Sequence, residues 1–377
     1  MPAQRDQIRG SFLGLAWGDA FGSPVEGWQP ETIRAVFGDY LQLPDEYPLG
    51  RITPLGKKVL QRLRPLGLHS DDTQQAMALI NVCLSGWSPE AWAEWLVAGR
   101  KKMAWRGYGR NFAAAVGKMA KGKPPRQTGT PTAGVGAAMR SAPLGALYRD
   151  DPERLAQVAM ESSLCTHGDI RAAALAFAIA HAASALIAGQ TPDQVRAGLP
   201  AVVAAREREW VHGHEDWTFD RSAGLAVSRC LEEFFAEDLH DPERIRARIS
   251  ELARPHLARG FTRAHPNQGF VLLGGLHGLV MALIPEEDPG KILAEIVAQG
   301  FDTDTVAAIC GGLLGARYGT GWIPLHRLRD RARLEDYADA LVERQGPPED
   351  RATFLEREAD WTKQEAAYQK TLAATAP

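Results

Sequence analysis

The chain has 377 residues, 45% hydrophobic and 24% charged, with a formal net charge of −3. That balance suits a globular protein with a sizeable core, and it excludes a strong overall electrostatic pull toward nucleic acid or an anionic membrane. Cys83, Cys165, Cys230 and Cys310 are widely spaced, with no CxxC or CxxH, which argues against a disulfide framework or a structural zinc site.

The amino-terminal MPAQRDQIRG lacks the apolar core of a signal peptide, so a cytoplasmic location is expected. Apolar and small residues at i, i+3, i+4 spacing predict a first helix over 5–21. Gly14, Gly18 and Gly22 fall in one row along it. A mid-helix glycine costs about 1 kcal/mol against alanine, and close approach between helices offsets that cost. Glu26 follows in GSPVEGW; taken alone it reads as a surface glutamate. Pro and Gly mark 38–67 as a loop. LHSDDTQQAM (68–77) then sets Asp71 and Asp72 between Ser70 and Thr73, at the mouth of a helix predicted over 72–84. Such residues are favoured helix N-caps. Carboxylates with hydroxyls, and no His or Cys, equally suit a hard cation such as magnesium or manganese.

Helical spacing continues over 89–103, 152–164, 171–189, 242–258, 269–284 and 290–299. The Ala-rich stretch from Ala172 carries His181 and Ser184. It falls short of the ~20 apolar residues of a membrane span and reads as a buried core helix. AVVAA at 201–205 is the best strand candidate and fits a helix equally well. Loops are expected at 121–134, 210–221 and 259–268. His212, His214, Glu215 and Asp216 read as a polar surface loop in preference to another metal site.

A second acidic mouth follows in GFDTDTVAAICGGLLGARYG (300–319), where Asp302 and Asp304 alternate with Thr303 and Thr305 before a helix over 304–317. Ala307, Gly311 and Gly315 form one row on it; Ala308, Gly312 and Ala316 form another. Capping needs one residue, and each mouth supplies four. Two such mouths, about 230 residues apart, point to one site fed from both ends. The chain reads as nearly all α. From His326 the tail is charged, yet Leu328, Leu334, Tyr337 and Leu341 keep an apolar stripe, predicting one or two surface helices.

GLAWGDAFGSPVE, SDDTQQAM, GVGAAMRSAPLG, SSLCTHGD and GFDTDTVAAICGGLLGARYG, in this order, resemble the elements of the ADP-ribosylglycohydrolase family, which includes the dinitrogenase-reductase-activating hydrolases. The resemblance covers roughly residues 8–325. It implies a compact, all-α, single-domain orthogonal helical bundle over 1–325, with 326–377 as a charged helical extension packed on it. It further implies two Mg2+ ions (Mn2+ as an alternative) held by Ser70, Asp71, Asp72, Asp302, Asp304 and Thr305. The implied reaction cleaves the bond between ribose C1″ and an acceptor, releasing ADP-ribose. Glu26 would be the mobile acid near the second metal and move the proton, with Asp71 as the alternative. Gly134, Val135, Gly136, Met139, Thr166 and His167 would bind substrate. Backbone N–H groups of 132–137 would serve the diphosphate, with Arg110 and Arg140 as further candidates.

The resemblance leaves the acceptor open as a protein, a nucleic acid or a small molecule, and implies no membrane partner; a monomer is expected. The rival reading is a non-catalytic ADP-ribose binder or an immunity-type protein that blocks a transferase. Intact Asp71, Asp72, Asp302 and Asp304 weigh against it. The chain departs from the family pattern at Ser70 (usually Thr), Phe301 (usually Gly) and Val135 (usually Asn).

Overall fold

The computed structural model describes residues 2–257 and 264–374. Among these there is no β-sheet, only isolated bridges pairing Thr130 with His167, Gly134 with Phe270 and Asp169 with Asp220. The fold is all-α.

Its axis is an antiparallel helix pair, α1 (Pro2–Gly22) and a later helix, Thr303–Tyr318. The glycine rows meet along it. A Cβ added at Gly14 would lie 2.1 Å from the Gly311 carbonyl oxygen, at Gly18 2.0 Å from that of Ala307, and at Gly22 2.4 Å from that of Thr303. These are backbone contacts that only missing side chains permit, and they answer the helix cost of the glycines. Pairing 14 with 311, 18 with 307 and 22 with 303 runs the helices in opposite directions. The C-terminal end of α1 therefore lies beside the N-terminal end of its partner, and the two acidic mouths are drawn together.

The second mouth-bearing helix, α2 (Asp71–Gly86), packs against the same pair. α3 (Ile170–Ile187) is long and apolar enough to cross a bilayer, yet 83% of it is buried in the protein. Thr303–Tyr318 is α4. The stretch 201–205 is helical, inside Pro192–His212. The predicted loop 38–67 contains helical turns at Leu49–Ile52 and Lys57–Leu60. Pro30–Phe37, Arg110–Ala120 and Ala226–Phe235 are helices the sequence reading did not single out. The predicted helix 269–284 spans Val271–Met281 and opens with a wide π turn. Residues 259–263 of the predicted loop 259–268 lie outside the described residues.

The tail forms α5 (Arg331–Glu343) and α6 (Arg351–Ala373). Its apolar stripe joins the main core through Leu334, Tyr337, Leu341 and Phe354. It departs from a pair of surface helices in what it buries. Arg333, Glu358 and Glu365 are interior. Glu358 accepts hydrogen bonds from Arg106 (2.7 Å), Gln74 (2.6 Å) and Arg333 (2.5 Å). Burial opposes its charge, but Arg106, His69 and Arg333 hold it well below the usual carboxylate range. The charge of the tail is thus partly internal wiring.

Candidate active site

A cavity of about 450 Å³ opens where the two acidic mouths meet. Asp71, Asp72, Asp302, Asp304 and Thr305 line it together with a second wall of Gly134–Gly136, Met139 and His167, and half-buried Glu26 and exposed Gly27 complete it at the rim.

Each acidic side chain has an identifiable holder. Ser70 is the N-cap of α2: its Oγ accepts from the Asp72 amide (3.3 Å) and donates to Asp72 Oδ2 (2.8 Å). Ser70 thus caps and orients Asp72, and it does not line the cavity. Asp71 Oδ2 accepts from Gln75, one turn on, at 2.7 Å, and Gln75 in turn accepts from Arg140. On the other side, Asn267 is fully buried. Its amide donates to the carbonyls of Ile296 (2.8 Å) and Gly300 (2.9 Å), and its own carbonyl accepts from the Asp302 amide at 3.0 Å. Thr303 Oγ1 donates to the Gly22 carbonyl at 2.8 Å, tying α4 to the end of α1.

Asp19 and Arg64 escaped the sequence reading. Asp19 sits in α1 with oxygens within 4.8 Å of those of Asp72 and Asp304. Its carboxylate already accepts from the Ser70 amide (2.8 and 2.9 Å), the Thr73 amide (3.1 Å), Thr73 Oγ1 (2.6 Å) and Ser23 Oγ (3.2 Å). That uses the lone pairs a carboxylate has, so Asp19 is a positioning residue that caps α2 from the neighbouring helix. The signal for it was position: one turn before Gly22, on the helix whose end meets the second mouth. Arg64 is buried, 3.3 Å from Glu26, 3.6 Å from Asp304 and 3.1 Å from Glu365. Burial works against its charge, and the three carboxylates outweigh that and hold it protonated.

The electrostatics are those of an acidic pit. Burial pushes Asp302 up to about 7, helped by Glu26. Burial also pushes Asp71 up to about 7; Arg64 opposes it, while Asp19, Glu26 and Asp302 add to it. Burial and mutual repulsion hold Asp72 and Asp304 well above the usual carboxylate range. Asp72 Oδ1 is buried with no hydrogen-bond partner among the described residues. Crowded carboxylate oxygens, one of them orphaned, with hydroxyls and no His or Cys, fit a hard divalent cation.

The second wall is pinned by Val135 N–H donating to the Gly269 carbonyl (3.3 Å) and Thr132 N–H to that of Thr130 (2.7 Å). Those two amides are therefore engaged, which narrows the expected role of the 132–137 backbone. Thr166 stands behind His167 rather than on the wall. Its hydroxyl meets the Ser163 carbonyl (3.1 Å), Arg140 (2.9 Å) and His167 Nδ1 (2.9 Å). His167 Nε2, the ring nitrogen left free by that contact, faces Gly134 and Gly136. Burial lowers His167 to about 3, with Arg140 adding to it, so the ring is neutral. Arg140 is buried and spent on Gln75 and on the Gly136 and Ser162 carbonyls, which corrects its reading as a diphosphate partner. Arg110 does line the cavity. His212, His214, Glu215 and Asp216 lie apart from this site.

Phe301 also lines the cavity, with φ +61°, the left-handed region that glycine favours. Its backbone accepts from Gly27 N–H (2.7 Å) and donates to the Trp28 carbonyl (2.8 Å), fastening the Glu26 segment to α4. Its ring stacks on His265 at 4.0 Å.

The all-helical fold and its acidic cleft are those of a hydrolase family. Residues 1–351 match the sequence pattern of the ADP-ribosylglycohydrolase family, and the chain belongs to that family. An uncharacterized protein of Archaeoglobus fulgidus is 26% identical over 346 residues, covering 90% of this chain and 96% of the relative. The uncharacterized protein YegU of Escherichia coli K12 is 25% identical, covering 84% of this chain and 89% of its own length. A solved structure described as an ADP-ribosylglycohydrolase-related protein complex superposes with a TM-score of 0.62 at 27% identity, covering 92% of this chain and all of that one.

Proposed function

We propose that this chain is a magnesium-dependent hydrolase that cleaves the ribose C1″ glycosidic bond of an ADP-ribosylated acceptor and releases ADP-ribose. The observation that carries the reading is the convergence of Asp71, Asp72, Asp302, Asp304 and Thr305 on one cleft, with Asp72 Oδ1 unpartnered.

Asp71, Asp72, Asp302, Asp304 and Thr305 would hold two Mg2+ ions, or Mn2+ in their place. When bound, the ions supply Lewis-acid contacts to the ribose hydroxyls and to a water. The chain's own groups do the rest. Ser70 and Asp19 fix Asp72 and the start of α2. Glu26, on the rim, gives a proton to the acceptor as its bond to C1″ breaks through an oxocarbenium-like state, and takes one back from the water whose oxygen adds to C1″. Arg64 holds the Glu26 carboxylate toward the cleft. Neutral His167, through Nε2, and the Gly134–Gly136 wall receive the hydroxyls and phosphates of ADP-ribose. Phe301 narrows the wall beside the acids.

The test is release of ADP-ribose from arginine-, serine- and nucleic-acid-linked substrates, with Mg2+ and with excess chelator. Mg2+-dependent release from one substrate is expected. Binding of ADP-ribose without release from any would replace the reading with that of a non-catalytic binder.

A further inference from the structure

A second cavity of about 420 Å³ shares Glu26, Gly27 and Gly107 with the cleft, so the group assigned to proton transfer lines both chambers. Its far wall is α6, through Thr362, Glu365 and Gln369. These residues lie beyond residue 351, where the match to the family ends.

The charges around the second chamber are unbalanced. Arg64 is neutralised by its carboxylates and Arg106 by Glu358. Arg62, on the chamber wall, makes no ion pair or side-chain hydrogen bond among the described residues, and neither do Lys57 and Lys58 on the short helix leading to it. All three are exposed. From Tyr47 to Ser70 the sequence holds Arg51, Lys57, Lys58, Arg62 and Arg64 and no Asp or Glu. A chain of net charge −3 thus concentrates unpaired positive charge in the segment that gives Gln61 and Arg62 to the chamber wall, which the overall balance conceals.

We infer that the second chamber is the acceptor subsite, and that the acceptor is a nucleic-acid strand ADP-ribosylated on a base. This rests on the proposed hydrolysis. Arg62, Lys57 and Lys58 engage backbone phosphates, for which guanidinium and ammonium groups are suited. Gln61 and Gln369, each a donor and an acceptor, line the chamber and meet the polar edges of the base. The volume lies within the range of small-molecule pockets. With ADP-ribose in the cleft and the base in the chamber, the scissile bond falls at Glu26.

The test uses the full chain with Mg2+ and two substrates: a single-stranded oligonucleotide carrying a base-linked ADP-ribose, and an ADP-ribosylated peptide. The oligonucleotide is expected to be hydrolysed with kcat/KM at least about tenfold higher at low salt. Three phosphate contacts give a log–log salt slope of about −2. The combined variant Lys57→Glu, Lys58→Glu, Arg62→Glu, checked for an unchanged melting temperature, should lower the oligonucleotide-to-peptide ratio at least about tenfold, through KM. Arg62→Gln alone, a milder change, should lower it in the same direction. Release from the peptide only, or an equal effect of the variants on both substrates, overturns the acceptor assignment and leaves the hydrolase reading standing. Release from neither, with ADP-ribose still bound, overturns both.

Discussion

Arg64 Nε lies 3.1 Å from Glu365 Oε1, so a residue of α6, roughly 300 positions further along the chain, supports the guanidinium that holds both Glu26 and Asp304. Replacing Glu365 by Ala leaves that guanidinium with one partner fewer and lets Glu26 swing outward. We expect kcat for ADP-ribose release to fall about tenfold, which corresponds to about 1.4 kcal/mol in the barrier. Glu365→Gln keeps one hydrogen bond and should recover part of the loss. Equal kcat in both variants and the parent would remove Arg64 from the positioning of Glu26.

Replacing Asp72 or Asp304 by Asn takes a charge out of the acidic pit. Binding of Mn2+, followed by electron paramagnetic resonance, should weaken sharply, and hydrolysis should drop to background. In chelator at pH 8 the same variants should melt higher than the parent, because the removed carboxylate was repelled by its neighbours. A lower melting temperature would show that these carboxylates stabilise the metal-free protein.

The pH dependence follows from Asp71 and Asp302, both raised to about 7 in the folded protein from the ordinary 3.8. Between those values the folded chain binds more protons than the unfolded one, so stability falls as pH rises from about 4 through 7. The metal-free protein should therefore melt lower at pH 8 than at pH 5.5. Added Mg2+ should raise the melting temperature more at pH 8 and release protons when it binds near pH 6.5. Calorimetry in two buffers of different ionisation enthalpy measures that release.

Gly311→Ala and Gly198→Ala test the helix contact. A Cβ at Gly311 would lie 2.2 Å from the Gly14 carbonyl oxygen, whereas at Gly198, also inside a helix, it meets nothing within 4 Å. Gly311→Ala should destabilise by about 3 kcal/mol, the upper end of what overpacking costs, because backbone cannot move aside as a side chain can. Gly198→Ala should stabilise by about 0.5–1 kcal/mol. Urea titration of both decides it.

Phe301→Gly relieves a left-handed residue, worth about 1 kcal/mol, but removes the ring between His265 and the cleft. Stability should hold while KM for the ADP-ribosylated substrate rises several-fold. An unchanged KM would make Phe301 a spacer with no contact to substrate.

The sequence showed the α class and the pairing of the two acidic mouths, because hydroxyl-flanked aspartates at helix starts are local patterns. It showed the glycine rows, though not that they face each other. Asp19 stayed hidden because a single aspartate in an apolar helix carries no local signal; its meaning comes from the helix it caps across the contact. Arg64 and Glu365 stayed hidden for a related reason. Each is an ordinary surface residue by composition, and only the packing of α6 against the loop before α2 buries them together. Ser70 had been read both as cap and as ligand, and its hydrogen bonds to Asp72 make the capping concrete.

The antiparallel contact of α1 with α4 also bears on the life of the chain before it is complete. α1 is made long before α4, with a glycine-lined face whose partner is synthesised roughly 280 residues later, and Glu365 arrives later still. At about 5–20 residues per second, that face waits tens of seconds. The acidic pit therefore cannot assemble on a nascent chain until α4 has followed α1 out of the ribosome.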